Sequence, residues 1–157
     1  LSPSQPFTNL PYNGFTRVVG SSDRFSENQM ATAAAGGVWW VIQDIPGGAL
    51  ACRHQLSTDV STLKLREYSI TRAKDFVAKV VRTQVRRFIG RNNITKSLLD
   101  MLGISLNAAL NSVIGTVVQS ATIDSLAQNA SNPDNVDVTI SLSVFYPCNK
   151  ITITIVA

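Results

Sequence analysis

The sequence predicts an α+β domain: a mixed β-sheet with two long antiparallel helices and a short N-terminal helix packed against it. Three observations carry that expectation. The run Ser69–Arg91 places Ile70, Ala73, Val77, Val80, Val81, Val85 and Phe88 at three- and four-residue steps, the repeat of a helix with one apolar stripe. The run Val136–Tyr146 alternates Val136, Val138, Ile140, Leu142, Val144 and Tyr146 with Asp137, Thr139, Ser141, Ser143 and Phe145, the repeat of a strand with one buried face. The third is size, since 157 residues make about one domain with chain enough for a core. The expected layout is an extended arm or loop over 1–24, an α/β core over 25–147 and a C-terminal strand over 148–157.

The elements follow in order. Residues 1–14, LSPSQPFTNLPYNG, hold three prolines and no period. Pro6 and Pro11 push the residues before them out of the helical region, so this is an extended arm, with Phe7, Leu10, Tyr12 and Phe15 to anchor it. Ser26 and Gln29 have the spacing of a capping box, with Phe25 and Met30 as its apolar staple. The Ala-rich helix they open is stopped by Gly36-Gly37, whose small size allows close approach of the next strand. Val38–Ile45 is β-branched and aromatic and reads as a buried strand. Pro46-Gly47-Gly48 turns the chain into Ala49–Leu56, so the pair reads as a hairpin. Trp39 and Trp40 are core or interface residues in this setting rather than base-stacking platforms.

Residues 57–64 form a polar lead into the helix at 69–91, a rod of about five turns. Ser69 or Thr71 caps its start and Gly90 supplies the left-handed residue at its end. A second helix is expected from about Thr95 to Val118, with Thr95 or Asn93 as cap and Leu98, Leu102, Leu106, Ala109, Val113 and Val117 as stripe. Gly103 and Gly115 weaken it by about 1 kcal/mol each relative to Ala, and read as close packing against the first helix or as a bend. A strand around Val117–Ile123 and a loop over Ala127–Asn135 lead to the strand at 136–146. The last residues alternate Ile151, Ile153 and Ile155 with Thr152, Thr154 and Val156. Such a tail is a hazard if left unpaired. It pairs either with 136–146 of its own chain, through Pro147–Lys150, or with a neighbour.

Composition narrows the function. Charged residues are 15% of the chain, below the roughly 25% of free-standing domains. That fits a protein packed against others, and equally a small surface rich in Ser, Thr and Asn. The net charge is +4, yet Lys64–Lys96 holds ten of the fourteen basic residues and two acids. That local balance of +8 leaves −4 for the remainder. On the helix at 69–91, Arg72, Lys79, Arg82 and Arg86 lie opposite the apolar stripe, with Asp75 among them. This row is either a solvated face or a contact for an acidic or phosphate-bearing partner. Cys52 and Cys148 lack metal-ligand spacing and are expected as buried free thiols. No apolar run reaches the roughly 18 residues that span a bilayer, so no membrane insertion is expected.

Catalytic constellations do not emerge. His54 stands alone among histidines with Cys52 two residues away, and reads as structural. The glycine pairs match neither GxGxxG nor a P-loop, and the acids have no EF-hand or paired-carboxylate pattern. The expectation is a non-enzyme with no metal and no cofactor. Because the chain begins at Leu1, it is also expected to be part of something longer.

With these residues in view, the chain resembles a known family. The run GFTRVVGSSDRFSENQMATAAAGGVWWVIQDIPGGALACRHQLSTD, the basic helix ending RRFIGRNNIT and the apolar C-terminal strand are together similar to the C-terminal, tube-facing domain of contractile tail sheath proteins of phages and related injection particles. RHQLSTD at Arg53–Asp59, followed by a helix ending in RFIGR, is the most specific part, and the likeness covers nearly the whole chain.

The resemblance implies a structural subunit in the virion tail, assembled in the bacterial host cytoplasm. Such a subunit stacks around an inner tube, exchanges strands with neighbours and contracts to drive the tube through a host envelope for genome ejection. It implies a homo-oligomeric helical or ring lattice, with the inner tail tube protein, baseplate and tail terminator proteins as partners. Ile151, Thr152, Ile153, Thr154 and Ile155 correspond to the inter-subunit strand. The family's N-terminal lending strand has no evident counterpart here.

Strand pairing ties subunits while leaving them free to turn, and exposed charge pairs are weak enough to release a tube. Arg72, Lys79, Arg82 and Arg86, or Arg17 and Arg24, are therefore the candidate basic contacts with an acidic tube or neighbour. Two rivals stand beside this reading. A nucleic-acid-binding module using the basic helix 69–91 accounts for the pI near 9.4 but lacks a reader motif, and no specific nucleic acid is expected. A small enzyme would be a monomer with a concave polar pocket.

Overall fold

The computed structural model describes residues 2–12, 14, 25–43, 48–149 and 151–156. In chain order these give β1 (Pro11–Tyr12), α1 (Glu27–Ala35), β2 (Val41–Ile42), β3 (Leu50–Cys52), α2 (Leu63–Arg66), α3 (Tyr68–Val85), α4 (Lys96–Asn111), β4 (Val118–Gln128) and β5 (Val136–Val144). The class is α+β, as the sequence predicts. The strands differ from the expected single mixed sheet. They form a three-stranded sheet in the order β1-β3-β2 and a two-stranded β4–β5 ribbon, and all their pairings are antiparallel. The chain divides into two compact units, Leu1–Ser4 with Arg72–Tyr146, and Gln5–Thr71 with Pro147–Ala157.

In the unit built on Gln5–Thr71, the proline-rich arm is extended and anchored as expected. Asn9 N–H donates to the Cys52 carbonyl at 2.7 Å, and β1 pairs with β3. The Phe7 ring lies 6.4 Å from Trp39 and 6.3 Å from Tyr68. The anchor assigned to Phe15 lies outside the described residues, as does most of the Pro46-Gly47-Gly48 turn.

The capping box of α1 forms: Gln29 N–H donates to Ser26 Oγ, and Ser26 N–H donates to Gln29 Oε1 at 2.8 Å. Gly37 follows at φ +82°, and a Cβ there would stand 2.9 Å from Thr58 Cα. The close approach expected at this glycine is real, but it is to the 57–58 backbone and not to a strand. Of the expected strand Val38–Ile45, Val41–Ile42 pairs against β3 and the Trp40 carbonyl accepts from Arg53 N–H at 3.0 Å, while Asp44 and Ile45 lie outside the described residues. Val38, Trp39 and Val41 stay exposed, while Leu50, Cys52, Leu56 and Ile70 are buried.

In the other unit, α3 buries Ala73 and Val77, whereas Val80, Val81, Val85 and Phe88 are half-buried. The helix ends at Val85, short of Arg91. Arg87 N–H and Phe88 N–H donate to Gln84 and Val85 carbonyls, the tightened three-residue bonding of a helix end. Gly90 takes φ +71°. Thr95 caps α4, accepting from Leu98 N–H at 3.2 Å. This helix stops at Asn111 because Gly115 at φ +79° turns the chain, with its N–H on the Val118 carbonyl at 2.8 Å. Even so, Leu98, Leu102, Leu106, Ala109, Val113 and Val117, the whole predicted stripe, are buried.

Burying one such Leu contributes about 1.5–3 kcal/mol. α4 lies closely against β4. A Cβ on Gly103 would meet Leu126 of β4 at 3.3 Å, so this glycine admits the ribbon rather than the first helix.

Candidate assembly surfaces

The C-terminal segment is the most exposed apolar stretch described. Ile151, Ile153, Ile155 and Val156 are 77%, 79%, 88% and 89% exposed. Residues 151–156 belong to no helix or strand and appear in no backbone pairing among the described residues. β5, the partner that an intramolecular hairpin would use, pairs with β4 among the described residues. Lys150 lies outside the described residues.

Among the described residues the β4–β5 ribbon has no third strand at either edge, and it has two distinct faces. Opposite residues on one face are Ala121–Leu142, Ile123–Ile140 and Leu126–Val138; on the other, Ser120–Ser143, Thr122–Ser141 and Ser125–Thr139. Register shifts at Val118/Ser120 and Ile123/Ser125 put Gln119 and Asp124 out of step on β4. Both side chains then reach β5: Ser143 Oγ donates to Gln119 Oε1 at 3.0 Å, and Ser141 Oγ donates to Asp124 Oδ2. Bulges of this kind blunt an edge against further pairing. The outer edge of β5, regular over Val136–Val144, has no such protection.

Lys79, Arg82 and Arg86 are exposed, with Arg86 in the turns just past α3, while Arg72 is half-buried with its guanidinium partly enclosed. None of the ion pairs among the described residues involves Lys79, Arg82 or Arg86. Arg17 and Arg24 lie outside the described residues.

The aromatic residues stack on one another. Trp39 meets Tyr68 edge-on at 5.5 Å and Trp40 meets Phe25 at 4.7 Å, while the Trp39 Nε1–H donates to the Leu56 carbonyl. Cys52 is buried, and burial raises its thiol pKa above the ordinary value, with Tyr12 hydrogen-bonded to it. Burial and the neighbouring Cys52 raise Tyr12 in turn. Cys148 is exposed, correcting the expectation of two buried thiols: β5 ends at Val144, and residues 145–149 belong to no strand.

His54 lines an open cleft of about 340 Å³ with Ala31, Ala34, Ala35, Leu56, Val60 and Arg66. Its Nε2 pairs with the Glu67 carboxylate at 3.1 and 3.3 Å. Glu67 was not visible as special from sequence. It is one of two acids in a basic stretch, and no periodicity marks it, yet it is completely buried. Arg66 Nε and Nη2 donate to its Oε1 at 3.3 Å, and Asn149 Nδ2 donates to the same oxygen at 2.9 Å. Among the described residues no helix is long and apolar enough to cross a membrane.

No family model matches the sequence, and comparison with curated proteins gives no match. A comparison of folds does. The chain is similar to one in the cryo-EM structure of the anti-feeding prophage (AFP) baseplate, 6-fold symmetrised, with a TM-score of 0.76 over 99% of the present chain at 10% identity. The chain spans 45% of the length of that protein. At this identity the likeness is one of fold.

Proposed function

We propose that this chain is a structural, non-catalytic part of a contractile injection particle, and specifically a tail-sheath subunit that lends its C-terminal segment as a strand to a neighbouring copy. The observation that carries the reading is the unpaired segment: isoleucines 77–88% exposed in a chain that also holds a ribbon without a third strand among the described residues. The ribbon is backed by α4 yet has only two strands, and strand addition supplies backbone hydrogen bonds to both parties. The outer edge of β5 is the receiving side, since bulges guard β4.

Placed there, Ile151, Ile153 and Ile155 extend the face of Val138, Ile140 and Leu142. Thr152 and Thr154 then join Thr139, Ser141 and Ser143. The fold shared with a chain of a prophage baseplate supports a place in such a particle, and the sheath-like motifs support the finer assignment. Lys79, Arg82 and Arg86 form the contact for an acidic tube or neighbour.

Electron microscopy of the concentrated protein tests this. Rings or tubes are expected from the intact chain, and dispersed subunits after removal of residues 151–157. Monomers in both samples would end the reading.

A further inference from the structure

The RHQLSTD run acquires a physical role in the structure that assembly alone does not explain. Its polar side chains tie down other segments. Arg53 pairs with Glu27 of α1 at 3.0 Å. Gln55, fully buried, accepts the Phe7 N–H of the arm at 3.0 Å. Ser57 Oγ donates to the Leu65 carbonyl at 2.6 Å. His54 and Arg66 converge on Glu67, and a bridge between Leu56 and Glu67 fixes that residue in place.

Glu67 is where the C-terminal segment is caught. A carboxylate only accepts hydrogen bonds and has about four lone-pair sites. Of the donors recorded on it, His54 and Arg66 are near in sequence, whereas Asn149 is 82 residues away. Asn149 is itself exposed, and this bond ties it to the buried carboxylate. A charged acceptor makes the bond stronger than one between neutral groups.

We propose that the buried Glu67 carboxylate is the anchor of the C-terminal segment: it grips Asn149, fixes where the free strand leaves its own unit, and is the point at which pull on that strand enters the fold. Gln55 does the same for the N-terminal arm through Phe7, so adjoining polar residues hold both end segments. The grip itself is independent of assembly; its mechanical meaning rests on the strand-lending reading above.

The test uses dilute, unassembled protein and trypsin, with mass spectrometry following release of the peptide after Lys150. Cleavage there requires the flanking chain to leave its place, so a grip at Asn149 slows it. Asn149→Ala should speed release about tenfold, the scale of one charge-assisted bond. Asn149→Leu, which keeps the size and removes the donor, should speed it as much. Both substitutions are at an exposed site, and unchanged thermal melting confirms that the fold survives; Glu67→Gln is the matching change on the other side. Release at the unsubstituted rate in both Asn149 variants would overturn the anchor. Because no assembly takes part, failure of self-association elsewhere leaves this result standing, and the converse.

Discussion

At the scale of single residues, backbone conformation and burial set the sharpest expectations. Gly37 combines φ +82° with backbone of residues 57 and 58 where a Cβ would go. Gly37→Ala should therefore destabilise the protein by about 1–3 kcal/mol, read as a lowered denaturant midpoint. The thiols should separate cleanly. Burial holds the Cys52 thiol protonated above its ordinary range, and only thiolate is nucleophilic. Alkylation at pH 8 should label Cys148 at once and Cys52 only after denaturant is added, as peptide mapping would show. Sequence showed some of these residues and hid others. The Ser26–Gln29 box could be read because both partners lie within one turn and fixed spacing defines the bond. Glu67 and Asn149 could not, because 82 positions separate them and neither belongs to a repeating pattern.

At the scale of elements, the legible features are those whose period repeats. The stripe of α4 and the alternation of β5 were readable residue by residue. The end of α4 was not, because Val113 and Val117 continue the stripe in burial after the helix has stopped. The bulges of β4 were likewise hidden, since only the pairing partner reveals a register shift. α1 buries none of its side chains, so its ends decide its stability. Ser26→Ala should cost about 1 kcal/mol of that helix, measured as lost amide protection over residues 27–35. On α3, Lys79→Glu with Arg82→Glu should raise the concentration needed for assembly about tenfold, the sum expected for exposed pairs of up to about 1 kcal/mol each. The circular dichroism spectrum should not change. Undiminished assembly would remove the basic face from the contact.

At the scale of the whole molecule, the segment 151–156 was read from sequence as a strand in need of a mate, and it has none within the described residues. Composition could say that it wants pairing, but the absence of a mate among the described residues is a tertiary fact that no local pattern carries. If the proposed strand addition holds, the mate lies on another copy's surface, which a single sequence does not display. Ile153→Pro removes one backbone donor and bends the segment, and should abolish self-association in sedimentation while leaving the melting curve of the dilute protein in place.

Those bare isoleucines also set a limit on supply. An uncharged β-prone hexapeptide is the signature of segments that stack into cross-β fibrils. Under the proposed assembly, surplus protomers would have a short lifetime, and synthesis would have to keep pace with the growing end that consumes them.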